Sequence, residues 1–153
     1  MRRRSVNTAF RMVIPLVLAL SACTTRTERI AVQPPDADVA PVLTVERFLR
    51  AANARDYETM ARLFGTKAGS VLDRDPRPEV ERRMFALASV LRHDDYAVED
   101  KMPAPGRSSE AVLVVVRLQV GEQRIPVPFT VVRSDKAGWL VENIDILRIT
   151  SGA

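Results

Sequence analysis

The spacing of apolar residues changes character once along the main body of the chain. Between residues 44 and 91 they recur at helical intervals, and from residue 96 onward they alternate with polar ones. Val45, Phe48, Leu49 and Ala52 follow Thr44, a candidate N-cap, at i, i+3, i+4 and i+7, which predicts a helix with one buried face. Asn53-Ala54-Arg55-Asp56 breaks that pattern. Asp56 is placed to cap a second, short helix bearing Met60, Leu63 and Phe64, with Gly65 at the position of a terminating C′ glycine. A third helix follows Pro76 and Pro78. Its expected stripe is Val80, Met84, Leu87 and Leu91, widened by Phe85, Ala88 and Val90. Gly65 to Arg74 between them reads as an irregular connection. A glycine-bearing loop ahead of a helix can cradle phosphate, but no strand precedes this one and its spacing fits no phosphate-binding fingerprint.

The alternating half predicts strands. Tyr96 to Glu99 is a short one, Met102 to Ser109 a loop, and Glu110 to Val120 a long strand with Val112, Val114, Val116, Leu118 and Val120 on one face. Gly121-Glu122 suits a two-residue hairpin with glycine first. The return strand, Gln123 to Arg133, buries Ile125, Val127, Phe129 and Val131. Pro126 and Pro128 remove ladder donors on its other face, so that end is expected at an edge or a bulge. A last strand is expected from Trp139 to about Ile149, with a bulge near Asn143. The sum is an α+β domain: three N-terminal helices packed on a curved four-stranded antiparallel meander.

The N-terminal segment has a different pattern. Arg2, Arg3, Arg4 and Arg11 precede a nine-residue apolar run, Met12 to Leu20, far short of the roughly 20 residues that cross a bilayer. That layout is a secretory signal peptide. Leu20-Ser21-Ala22-Cys23, directly after the run, resembles the lipobox of bacterial lipoproteins. The resemblance implies cleavage between Ala22 and Cys23, an acylated (palmitate-bearing) Cys23 as membrane anchor, and, with Thr24 rather than aspartate next, sorting to the outer membrane facing the periplasm. Two or three acyl chains hold firmly where one does not. Cys23 is the only cysteine, so no internal disulfide competes for it.

Cleavage changes the charge. Removing the four arginines of residues 1–22 leaves 19 basic side chains against 19 acidic ones, so the mature chain is formally neutral. The main reason to expect a nucleic acid partner disappears with them. Residues 23–41 read as a lipidated tether stiffened by Pro34, Pro35 and Pro41, and residues 42–150 as one domain.

Helix and strand order, the Phe48-Leu49-Arg50-Ala51-Ala52 to Asp56 break, and Gly138-Trp139-Leu140-Val141 opening the last strand resemble the nuclear transport factor 2-like fold, the ketosteroid isomerase-like cone. The resemblance implies a curved sheet wrapped around the third helix with a pocket at its open end. Tyr96, Asn143, Asp145 and Trp139 are then the candidate pocket residues. His93-Asp94-Asp95 reads as a polar helix end followed by a solvated turn.

One histidine and one lipidated cysteine supply neither a metal cluster nor a nucleophile pair, so no catalytic residue, metal site or cofactor is expected. The expectation is a lipid-anchored, periplasm-facing, non-enzymatic domain that binds an apolar ligand in the cone or pairs through the outer sheet face. That face would carry Leu113, Val115, Arg117 and Gln119 with Pro126, Pro128, Thr130 and Val132, and its partner would be a second copy or an envelope protein. The alternatives are an isomerase-like or hydrolase-like enzyme using Asp145 or Tyr96, or an accessory of envelope assembly or transport.

Overall fold

The structure, a computed structural model, describes residues 39–107 and 110–150. The expected signal peptide, Cys23, the expected tether up to residue 38, and Ser108-Ser109 of the expected loop lie outside the described residues.

Helix α1 spans Ala40–Ala54 and starts one turn before Thr44. Pro41 opens it, since its fixed φ suits a first turn and its missing N–H costs nothing there. Thr44 is therefore helical, and its hydroxyl donates to the Ala40 carbonyl at 3.0 Å. Asp56 caps α2 (Tyr57–Leu63) as expected, accepting the Thr59 N–H at 3.0 Å.

Gly65 does a different job from the one expected. Helix α2 runs out through an extended Phe64, and Gly65 begins a minimal hairpin, β1 (Gly65–Thr66) and β2 (Gly69–Ser70). A Cβ on Gly65 would lie 2.3 Å from the Gly69 carbonyl oxygen, so close approach excludes any side chain. Ser70 then caps a single turn, α3 (Val71–Arg74), and its hydroxyl donates to the Ala61 carbonyl at 2.7 Å. The segment read as irregular is thus a hairpin plus a helical turn. Among the described residues four helical segments precede the main sheet, not three.

Helix α4 covers Arg77–Val90 with Pro76 at its start. Val80, Met84 and Ala88 are buried, and Leu91 just beyond is fully so. Phe85, expected to widen the stripe, is 60% exposed.

The main sheet is an antiparallel meander in the order β3-β4-β5-β6: Asp95–Pro103, Ala111–Val120, Gln123–Ser134 and Gly138–Ile144. Gly121, at φ 57°, makes the tight β4–β5 turn. Strand β3 is longer than expected, because a bulge at Glu99 lets pairing resume from Asp100 to Pro103 where a loop was read. In β6 the bulge falls at Glu142, one residue from the expected place.

That strand stops at Ile144. Leu147–Thr150 turns into helix α5 instead of continuing to Ile149. The physical reason lies in β5. The Pro128 carbonyl accepts the Asp145 N–H at 3.0 Å, so positions 126 and 128 turn their backbone away from β4 and offer no donor in return. A longer β6 would face two successive gaps in the ladder, so β5 is left with an open edge from residue 123 to 128.

One face of this sheet packs on the helices. Val114, Val116, Leu118, Val127, Phe129 and Val131 meet Val45, Phe48, Leu49, Met60 and Met84, all at 0% exposure. The β1–β2 hairpin closes the side next to β6, where Phe64 bridges to Val141.

Candidate functional site

The space between the sheet and the helices is occupied. Phe48, Phe129, Leu49, Met60, Met84, Leu91 and Leu118 are the largest fully buried side chains, drawn from α1, α2, α4 with its C-cap, and strands β4 and β5. Phe48 and Phe64 stack in a tilted pair, centroids 6.0 Å apart, at the bottom of this packing.

The four candidate pocket residues do not converge. Tyr96 pairs with Leu118 near one end of the sheet, and Trp139 pairs with Arg133 near the other. Eight residues of β5 separate those rows, about 27 Å at strand rise. Trp139 is half-buried against the core. Asn143 pairs with Thr130 on the outer face and is exposed. Asp145 spends its N–H on the Pro128 carbonyl, and its carboxylate lies 3.5 Å from Arg148.

His93 is not in a solvated turn. It is 8% exposed and stacks edge-on against Tyr96, centroids 5.6 Å apart. Nδ1 donates to the Leu91 carbonyl at 2.7 Å, which leaves Nε2 to accept the Asn53 amide at 3.2 Å. That amide also donates to the His93 carbonyl at 2.9 Å. Next to it, Asp94 accepts the Gly121 N–H at 2.7 Å. His93 and Asp94 therefore fasten the α4–β3 turn to the end of α1 and to the β4–β5 hairpin, which is a structural use of both.

Tyr96 borders a small hollow of about 260 Å³ with Asp95, Ala97, Arg117, Gln119 and Arg124, and larger open surfaces lie in two other places. The first is a groove beside α4. A hollow of about 630 Å³ between α2, α3 and α4 adjoins one of about 530 Å³ between the end of α1 and the end of α4. Arg55, Tyr57 and Phe85 line both, so the two hollows form one groove across an aromatic saddle. Tyr57 and Phe85 meet edge to face with centroids 6.1 Å apart. Ala61, Leu72 and Val80 floor the larger hollow.

Arg55 is the one non-glycine residue at positive φ among the described residues, at φ 55° and ψ 31°. It closes α1 in a Schellman arrangement: its N–H bonds the Ala52 carbonyl at 3.1 Å and the Asp56 N–H bonds that of Ala51 at 2.9 Å. Glycine is the usual residue there, and arginine accepts strain of about 1 kcal/mol or more. Hydrogen bonds from Thr59 hold the neighbouring Asp56 below the usual carboxylate range. The sequence carried a signal for this groove: a helix stop with no glycine, and a phenylalanine one position off the Met84 row.

The second open surface is the outer face of the sheet. Leu113 pairs with Thr130 and Val115 with Pro128, and all four are half-buried, with Met102 beside Leu113 on β3. Arg117 on the same face is ion-paired with Glu99. The face is shorter than expected, because Val132 is 3% exposed in a small cluster with Ala104 and Ala111. Among the described residues, no three His, Cys, Asp or Glu side chains gather as a metal site.

No family model matches this chain, and no curated protein matches it.

Proposed function

We propose that this protein is a lipid-anchored component of the bacterial cell envelope, sorted to the outer membrane and facing the periplasm. Its folded part is a cone of the nuclear transport factor 2-like type, used as a non-enzymatic interaction domain. It pairs through the outer sheet face with a second copy or with an envelope protein.

One observation carries the reading. The helix-facing side of the sheet is filled by fully buried side chains, while Leu113, Val115, Pro128 and Thr130 on the other side stay half-open. A packed interior supports neither a small apolar ligand in the cone nor a catalytic group there, since such sites need a pre-formed concave pocket. The outer patch mixes branched apolar residues with threonine and proline, close to the composition of a transient interface. Lipobox order at Leu20-Ser21-Ala22-Cys23 supports the anchor.

Sedimentation of the mature chain with Cys23→Ser, alone and with envelope extract, tests the pairing. A species heavier than the monomer that Val115→Glu dissolves is the expected result. A monomer under every condition refutes it. The anchor is tested separately by metabolic labelling with palmitate, which Cys23→Ala is expected to abolish.

A further inference from the structure

Asn53 and His93 hold each other in a way that leaves no place for a second ring proton. The Asn53 side chain lies along the His93 backbone: Oδ1 accepts the His93 N–H at 3.4 Å, and Nδ2 donates to the His93 carbonyl at 2.9 Å. Those two bonds fix which end of the amide is nitrogen. Its remaining hydrogen points to the ring, with Nδ2 3.2 Å from Nε2. On the other side the Leu91 carbonyl lies 2.7 Å from Nδ1, and a carbonyl only accepts. The ring therefore carries its proton on Nδ1 and a lone pair on Nε2.

A proton added at Nε2 sets one donor against another. Turning the amide over would offer Oδ1 to the new N–H. It would also point Nδ2 at the His93 N–H and Oδ1 at the His93 carbonyl, so two backbone bonds are lost to gain one. The surrounding charges do not decide the matter. Arg55 at the end of α1 and Arg92 just past α4 line the hollow that His93 shares with Asn53, as does the neutral Tyr57 of α2. Against them stand Asp94, which accepts the Gly121 N–H, and Asp95, which accepts the Tyr96 N–H; the Tyr96 ring itself meets the imidazole edge-on. Charge is balanced, two against two, and none of the four bonds the ring, whose polar partners are Asn53 and Leu91.

We propose that Asn53 and His93 form an acid-sensitive latch. With the ring neutral, they tie the end of α1 to the α4–β3 turn; uptake of a proton at Nε2 releases the tie. The sign follows from the bonds: the latch is closed at high pH and opens as pH falls through proton uptake. Imidazole is the ordinary side chain that changes charge within a few units of neutrality. Asn53 is exposed, so solvent reaches the latch from that side. Release frees the Arg55 turn, which sits at φ 55°, and opens the narrower hollow of the groove, where Ala52 and Ala88 are buried. The core of the sheet, from Val114 to Leu118, is not part of the tie. Nor is any residue of the outer sheet face, so the latch stands whether or not that face pairs.

His93 is the only histidine in the chain, so a single imidazole reports. The test takes the full chain in non-ionic detergent, without a histidine tag and labelled with nitrogen-15, from pH 7.5 to pH 4.5. Long-range nitrogen–proton spectra should show the Nδ1–H tautomer at pH 7.5. Amide exchange, corrected for its intrinsic rate, should quicken about tenfold or more over residues 51–56 and 91–96. Its midpoint should match that of the imidazole, while residues 114–118 stay protected. His93→Gln keeps an oxygen that accepts from Asn53 but takes up no proton, so the local change should vanish there. If that variant does not fold, the tautomer and the matching midpoints decide alone. Four results would overturn the proposal: the Nε2–H tautomer at pH 7.5, proton uptake without faster local exchange, no uptake before the whole fold is lost, or equal quickening in His93→Gln.

Discussion

Replacing Gly65 by alanine should be among the most damaging single-methyl changes in this domain. The added Cβ would sit 2.3 Å from the Gly69 carbonyl oxygen, 2.9 Å from the Ser70 Cα and 2.9 Å from the Leu140 Cδ1. Comfortable heavy-atom separations are about 3.5–4.0 Å, so each overlap is of the order of half an ångström to more than one. Leu140 can swing away, but the other two neighbours are backbone. The β1–β2 hairpin must therefore part, which strains the Gly65–Ser70 and Thr66–Gly69 pairs. It also pulls the buried Ser70 hydroxyl from the Ala61 carbonyl and moves Lys67 away from Glu110, now 2.5 Å apart. Overpacking costs about 1–3 kcal/mol and a lost buried hydrogen bond about 1–3 more. The lysine pair is exposed and adds little. A total near 2–6 kcal/mol follows. With a urea dependence of about 1–3 kcal/mol per molar, the midpoint should fall by at least about 0.7 M. Gly121→Ala is the control, since φ 57° is left-handed but open space surrounds the position. It should cost only about 1–2 kcal/mol. If Gly65→Ala proves no worse than Gly121→Ala in urea titration, the hairpin is not packed on β6 as described.

Other substitutions address different parts of the account. Phe129→Ala empties the middle of the interior and should lower stability by about 3–5 kcal/mol in thermal melts, whereas a loss below 1 kcal/mol would mean the interior is not tightly filled. Asn53→Ala strands His93 and should cost about 1–3 kcal/mol, with faster amide exchange at Leu91 to Asp95 as its local signature. Acid should destabilise the fold in a defined window. Hydrogen bonds from Arg74 and Arg83 hold Asp75 below the usual carboxylate range, and Lys67 does the same to Glu110. A lowered folded-state value stabilises the fold above the ordinary carboxylate range, a contribution lost as pH falls through the folded value. Stability should therefore decline below about pH 4, and Asp75→Asn should flatten that decline in pH-dependent melts.

Where one rule decided the local structure, the sequence was enough. The alternation along β4 has a single consistent reading, because a one-residue slip would turn Val114, Val116 and Leu118 out of the core. Gly121 at the turn and Asp56 at the cap are likewise set by local backbone chemistry. Competition between rules hid the rest. The strand reads as stopping at Glu99, with loop from Met102, because the bulge shifts the phase of β3, and an edge strand tolerates charge on its open side. Leu147 and Ile149 alternate with Arg148 as a strand would, yet the donors such a strand needs are absent at Pro126 and Pro128, about twenty residues away in sequence. Thr44 does not cap, because α1 already begins at Ala40, with Val39 at the N-cap and Pro41 in the first turn. The groove was least legible of all. Its residues come from α1, α2, α3 and α4 and the turns between them, and only their packing reveals that Phe85 is left outside.

The central claim is that this domain works through its outer surfaces and not through its interior. Photocrosslinking in the intact cell envelope tests it most directly, with p-benzoylphenylalanine placed at position 115 of the full chain. The account predicts a protein adduct from that position. Bare monomer there, with the full chain expressed at its normal level, would contradict it.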